Sequence, residues 1–142
     1  MTSHKIIVTP LMNIKVVGGN VLRVIKNNDS GFEGFGEAYF SWIDPGSIKG
    51  WKCHNKMYMN IVVPVGRVKF VFRITNQDGS EDFQVEEVGV DSYVRLSVPP
   101  GVWFAFQGIS ASSSLILNIA SIVHDSDEVM RAPISEINYD WR

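Results

Sequence analysis

A single cysteine, Cys53, occurs in the 142 residues. A lone thiol forms no internal disulfide, so the fold must hold without covalent staples, as is usual in a reducing compartment. Excess charge is also missing: 13 Lys and Arg stand against 15 Asp and Glu, for a net charge of −2. That removes any broad electrostatic case for nucleic acid or an anionic membrane as partner. An anionic ligand would have to be held by local Lys and Arg. No apolar run reaches the ~18–20 residues of a membrane span. The first ten residues lack the apolar stretch and small-residue cleavage site of a secretory signal. A cytoplasmic protein is therefore expected. A Gly-rich phosphate loop, a nucleophile elbow and a dinucleotide fingerprint are all lacking. Internal repeats, low-complexity tracts and linkers are lacking too, and the length fits one domain over residues 1–142.

Most of what is present alternates with period two. In 67–74, Val68, Phe70, Phe72 and Ile74 share a face opposite Arg67, Lys69, Val71 and Arg73. In 92–98, Val94, Leu96 and Val98 alternate with Tyr93, Arg95 and Ser97. Both read as half-buried strands. Residues 60–63 and 115–120 are short Ile-, Val- and Leu-rich runs, as in strands buried on both faces. Residues 21–25 and 37–42 are further strands, and a short helix capped by Ser30 is expected over 30–35. Turn signals such as Asn76-Gln77-Asp78-Gly79 and Pro99-Pro100-Gly101 recur every eight to twelve residues. That spacing predicts an all-β sandwich or barrel. The tail ending in Tyr139-Asp140-Trp141 is aromatic enough to pack onto the body or onto a partner subunit.

The segment Gly50-Trp51-Lys52-Cys53-His54-Asn55-Lys56 carries the densest chemistry. Side chains two apart on a strand share a face, so Lys52, His54 and Lys56 point one way and Trp51 and Cys53 the other. Two cations and an imidazole are costly to bury unless the face lines a wet pocket or meets anions. Lining a pocket, they suit a phosphate or carboxylate ligand and proton transfer. A solvated charge row on an outer face fits the pattern equally. Cys53 reads as a small buried side chain rather than a nucleophile. Trp103, in Val102-Trp103-Phe104-Ala105-Phe106, belongs to an aromatic core cluster or stacks on a base or sugar ring. His124-Asp125-Ser126-Asp127-Glu128 follows the last clear strand, where sites are common. His4 is given no role.

The order of these motifs resembles a cupin, with a His-bearing strand, a turn, a strand and then a Pro-Pro-Gly strand. Lys52-Cys53-His54 stands where metal cupins carry His-x-His, and Phe104 stands where they carry a further His. One of three histidines remains, so no metal is predicted. The metal-free branch that the chain resembles is the dTDP-4-dehydrorhamnose 3,5-epimerase family, together with the related dTDP-sugar 3,4-ketoisomerases. The resemblance runs through Gly36-Glu37-Ala38-Tyr39-Phe40-Ser41, Pro45-Gly46-Ser47-Ile48-Lys49-Gly50-Trp51, Val63-Pro64-Val65-Gly66-Arg67-Val68-Lys69, Val98-Pro99-Pro100-Gly101-Val102-Trp103 and Ile137-Asn138-Tyr139-Asp140-Trp141.

This resemblance implies an all-β, cupin-type jelly-roll barrel with no cofactor. It implies a nucleotide-linked 4-keto sugar as substrate, epimerised or isomerised by enolisation, in surface-polysaccharide or deoxysugar biosynthesis. It also implies a homodimer, with residues 5–9 as a strand that two subunits would exchange. The family's catalytic His falls on Lys52, the His two positions later is retained as His54, and the family's catalytic Tyr falls on or next to His124. Lys52, His54 and His124 are thus the expected catalytic set. Arg23, Tyr39, Lys49, Lys56, Asn60 and Trp103 are the expected substrate-binding residues. Replacement of the usual catalytic pair leaves an alternative, a catalytically altered cupin that binds a nucleotide sugar or serves as a partner subunit. A metal cupin of the dioxygenase kind is a third, weaker reading.

Overall fold

A computed structural model describes residues 5–142, and His4 lies outside the described residues. Twelve strands are described: β1 Ile7–Pro10, β2 Asn13–Ile14, β3 Val21–Leu22, β4 Glu37–Ile43, β5 Ile48–His54, β6 Met59–Val65, β7 Arg67–Thr75, β8 Glu81–Gly89, β9 Val94–Val98, β10 Trp103–Gly108, β11 Ser114–Ala120 and β12 Val129–Arg131. A 3₁₀ turn at Ile134–Glu136 is the helical element described.

The strands form two five-stranded sheets and a small hairpin. One sheet runs β1-β9-β6-β11-β4, the other β12-β5-β10-β7-β8, and β2 pairs with β3. Every pairing between the named strands is antiparallel. Neighbouring strands distant in sequence, such as β5 beside β10, give the jelly-roll order expected of a cupin. The inner faces enclose one core. Val68, Phe70, Phe72 and Ile74 of β7 meet Leu96 and Val98 of β9, Met59, Ile61 and Val63 of β6, and Phe104 and Phe106 of β10. The period-two faces of the sequence thus become the two walls of the barrel.

The outer face of the second sheet is covered as well. Trp51, Val71, Ala105 and Ile137 form a buried cluster there, with Trp103, Tyr139 and Trp141 packed against it. The Trp51 Nε1–H donates to the Ile134 carbonyl at 3.2 Å, and Trp51 and Trp141 lie 5.9 Å apart. The aromatic tail therefore packs onto its own body. Val71 is buried in this outer cluster, which explains why a Val interrupts the charged row of β7.

Four local expectations change. Residues 30–35 form no helix. Gly31 and Gly34 have φ of 93° and 101°, and the Ser30 and Gly31 carbonyls accept from Arg95 and Asn60 side chains instead of from backbone amides four residues on. The strand expected over 21–25 shrinks to Val21–Leu22, because the Val24 carbonyl is taken by Arg95 Nη1 at 2.7 Å. In 92–98 the polar face is buried rather than exposed. Arg95 and Ser97 are 1% and 0% accessible beneath this same 23–31 loop, and Arg95 is countered by Asp29 at 3.7 Å. The run 115–120 is buried on its inner face only, since Leu115, Leu117 and Ile119 remain half-buried on the outside.

Candidate functional site

β5 crosses the barrel wall beside β10, and a register shift lies opposite Phe104 and Ala105. Gly50 makes the close approach workable. Its φ is +143°, and a Cβ there would lie 2.4 Å from the Ala105 Cβ. Beyond this point Lys52 pairs with inward-facing Phe104, and Cys53 pairs with outward-facing Trp103. Lys52 and His54 accordingly point into the barrel. They line a cavity with Tyr39 and Ser41 of β4, Asn118 of β11, and an apolar wall of Phe70, Phe104, Phe106, Met59, Ile61 and Ile116. The cavity is small, about 50 Å³.

His54 is buried, and its Nδ1 lies 2.5 Å from Glu128 Oε2. The second carboxylate oxygen of Glu128 accepts the backbone N–H groups of Lys56 and Met57, each at 2.9 Å. Burial alone would push this carboxyl up. The hydrogen bonds from His54, Lys56 and Met57 and the nearby imidazole outweigh it, holding Glu128 below the usual carboxylate range. A hydrogen bond to an ionised Glu128 occupies Nδ1, and whenever the ring carries a single proton that proton sits on Nδ1 and the Nε2 lone pair is free. The ring stacks on Phe104 at 6.3 Å, which holds its plane.

Lys52 is the cation of the cavity. Burial, reinforced by repulsion from Arg131 and Lys49, lowers its pKa from the ordinary lysine value. Among the described residues no carboxylate lies within ion-pair distance of it. Lys52 also borders a second, outer cleft with Lys49 and Arg131. Three cations therefore line this outer cleft.

The remaining expected residues divide. Tyr39 lies in the cavity and accepts a 2.9 Å hydrogen bond from Asn118 Nδ2. Lys49 sits in the outer cleft and donates to the Trp42 carbonyl at 2.7 Å. Lys56 lies past the end of β5 and is exposed, so the row of three on one face ends at two. His124 is exposed, and its backbone N–H is held by Glu37. Arg23 borders a separate cavity with Arg95, Lys26 and Asp29. Asn60 is buried on the far side of its sheet, bonded to Gly31 and Ser97. Trp103 lies outside the barrel, 6.0 Å from the Arg73 guanidinium. Burial raises the pKa of the Cys53 thiol, consistent with an inert side chain.

Glu128 and Asn118 escaped the sequence reading. Glu128 lay inside a motif singled out for its His. Asn118 carried a faint signal, an amide at an inward position of an Ile- and Leu-rich strand. Among the described residues no group of three or more His, Cys, Asp and Glu is placed to hold a metal ion. No helix among them is long and apolar enough to cross a membrane.

No family model matches the chain. No curated protein matches it either. Solved structures do. A dTDP sugar isomerase from Desulfovibrio desulfuricans G20 is 31% identical over 96% of this chain and 90% of that one, with a TM-score of 0.89. QdtA, a sugar 3,4-ketoisomerase from Thermoanaerobacterium thermosaccharolyticum solved with TDP, is 20% identical over 89% and 88%, with a TM-score of 0.72. A dTDP-4-dehydrorhamnose 3,5-epimerase from Elizabethkingia anophelis NUHP1 is 14% identical over 100% and 86%, with a TM-score of 0.77. The last two establish the shared fold.

Proposed function

The chain belongs to the dTDP-sugar isomerase family, and from that premise we propose that it isomerises or epimerises a dTDP-linked 4-keto sugar by enolisation beside the ketone. The observation that carries this reading is the buried His54–Glu128 pair sharing one cavity with Lys52. Removing a proton next to a carbonyl needs a base near neutrality and a group to stabilise the enolate oxygen. His54 Nε2 supplies the base. Lys52 and the Tyr39 hydroxyl face the space where that oxygen would sit. A cavity of about 50 Å³ admits only the reacting edge of a sugar ring. The nucleotide then lies outside, with its diphosphate toward Lys49 and Arg131. A nucleotide-linked substrate also supports a cytoplasmic location.

The test is exchange of solvent deuterium into dTDP-4-keto-6-deoxyglucose, followed by mass spectrometry. Incorporation at a carbon next to the ketone is expected. No incorporation into this sugar or related dTDP-ketosugars at high enzyme concentration would overturn the reading. Lys52 at the position of the family's usual His favours one other reading, a protein that binds the sugar nucleotide without turning it over. Saturable binding with no exchange would select it.

A homodimer is part of the proposal. Phe40 and Trp42 are 63% and 56% exposed on the outer face of β4, beside Leu117 and Leu115 of β11. A second copy would cover this apolar strip. β1 pairs with β9 of its own chain over Ile7–Pro10.

A further inference from the structure

Asn118 is buried at 4% exposure inside the catalytic cavity. Its Nδ2 donates to the Tyr39 hydroxyl at 2.9 Å and faces the Met57 sulfur at 3.8 Å. A thioether only accepts, so the amide nitrogen must lie on that side and the oxygen on the other. That oxygen, Oδ1, has no hydrogen-bond partner among the described residues. A buried acceptor left unpaired is costly, and because the Asn118 side chain lines the cavity, a bound ligand is the source of the missing donor.

The two groups form a set. The Tyr39 oxygen already accepts from Asn118, so its own O–H is free to donate. A donor and an acceptor side by side match a ketone and a hydroxyl on neighbouring carbons. We infer that Asn118 determines substrate specificity: its Oδ1 accepts a hydrogen bond from the sugar hydroxyl on the carbon next to the ketone, while the Tyr39 hydroxyl donates to the ketone oxygen. The site then takes an α-hydroxy-ketone sugar and rejects the analogue deoxygenated at that carbon. This inference rests on the 4-keto-sugar reading and sharpens it.

The experiment compares affinities for dTDP-4-keto-6-deoxyglucose and its 3-deoxy analogue, measured by calorimetry on wild type, Asn118→Ala and Asn118→Asp. Wild type is expected to prefer the hydroxylated sugar by about 10- to 100-fold, the range of one buried acceptor left unpaired. Asn118→Ala should bind both within about threefold of each other. Asn118→Asp keeps an acceptor but loses the donor to Tyr39, so it should retain the preference while binding both sugars more weakly. Equal binding of both sugars by wild type overturns the inference without reference to any variant, as does a preference that survives in Asn118→Ala. Deuterium exchange on the same samples separates the two claims. Exchange without discrimination removes the role of Asn118 and leaves enolisation standing. Discrimination without exchange keeps Asn118 as a binding determinant and removes the chemistry.

Discussion

His54 and Glu128 stand 74 residues apart in sequence and meet at 2.5 Å. Glu128→Gln preserves the shape of the contact but not its charge, and the amide no longer dictates which imidazole nitrogen carries the proton. By analogy with orienting carboxylates elsewhere, kcat is expected to fall by about 10²- to 10⁴-fold with KM little changed. Steady-state kinetics on the 4-keto sugar read this directly, and a fall below threefold would remove Glu128 from the mechanism. Glu128 also sets a pH dependence of stability. Its folded-state pKa is depressed, so its contribution is present above the ordinary carboxylate range and is lost as pH falls through the folded value. Lys52 has the opposite consequence. Its folded-state pKa is also lowered, but for a base this disfavours the charged form, so the folded state is penalised at neutral pH. The penalty fades as pH rises through the lowered value toward the ordinary lysine pKa. Lys52→Met should therefore raise the urea midpoint at neutral pH and lose that advantage near the ordinary lysine pKa, while abolishing deuterium exchange. An unchanged midpoint at neutral pH would show that Lys52 carries no such penalty.

At the scale of elements, the site depends on how β5 lies against β10. Gly50 is the residue that permits it, with φ +143° and 2.7 Å from its would-be Cβ to the Ala105 Cα. Gly50→Ala must displace backbone rather than a flexible side-chain end. A loss of roughly 2–4 kcal/mol is expected, from overpacking and a disfavoured φ together. Equilibrium urea unfolding measures it, and a loss under ~0.5 kcal/mol, the size of an ordinary surface change, would mean the strands part freely. The strands themselves were legible because alternation of Val68, Phe70, Phe72 and Ile74 is a local pattern with one physical meaning. The face shared by Lys52 and His54 was legible for the same reason. Alternation alone left open whether that face pointed in or out, and it was the resemblance to a cupin that placed it inward. The direction is decided by Phe104 of β10 beside Lys52 and by the tail that buries Trp51 on the opposite side. The helix expected at 30–35 failed for a related reason. Arg95 and Asn60, far along the chain, take the carbonyls that a helix would need. Glu128 and Asn118 could not be assigned to the site until β11 was laid beside β4 and the loop after it beside the end of β5.

At the scale of the whole molecule, the two sheets finish their outer faces differently. The second sheet is roofed by its own C-terminal tail, which buries Trp51 and Ile137. The first is roofed over β9 and β6 by the 23–31 loop, through Arg95 and Asn60. Over β4 and β11 the described chain supplies no such roof. Phe40 pairs with Leu117 and Trp42 with Leu115, so large apolar side chains stand side by side in a strip. Isolated exposed apolar residues need no explanation, but a contiguous strip of this kind marks an association surface. Two identical strips related by a twofold axis can cover each other, which is the commonest closed arrangement. Stable association buries about 800 Å² per partner and depends on a few aromatic anchors. The wild-type protein should therefore sediment at twice its 15.9 kDa chain mass. Trp42→Glu and Phe40→Glu should sediment as monomers with unchanged far-UV circular dichroism, since both side chains already face water in the single chain. Their melting temperatures should lose the concentration dependence expected of the wild type. A wild-type protein that remains monomeric at high micromolar concentration would show that this strip is not covered by a second copy.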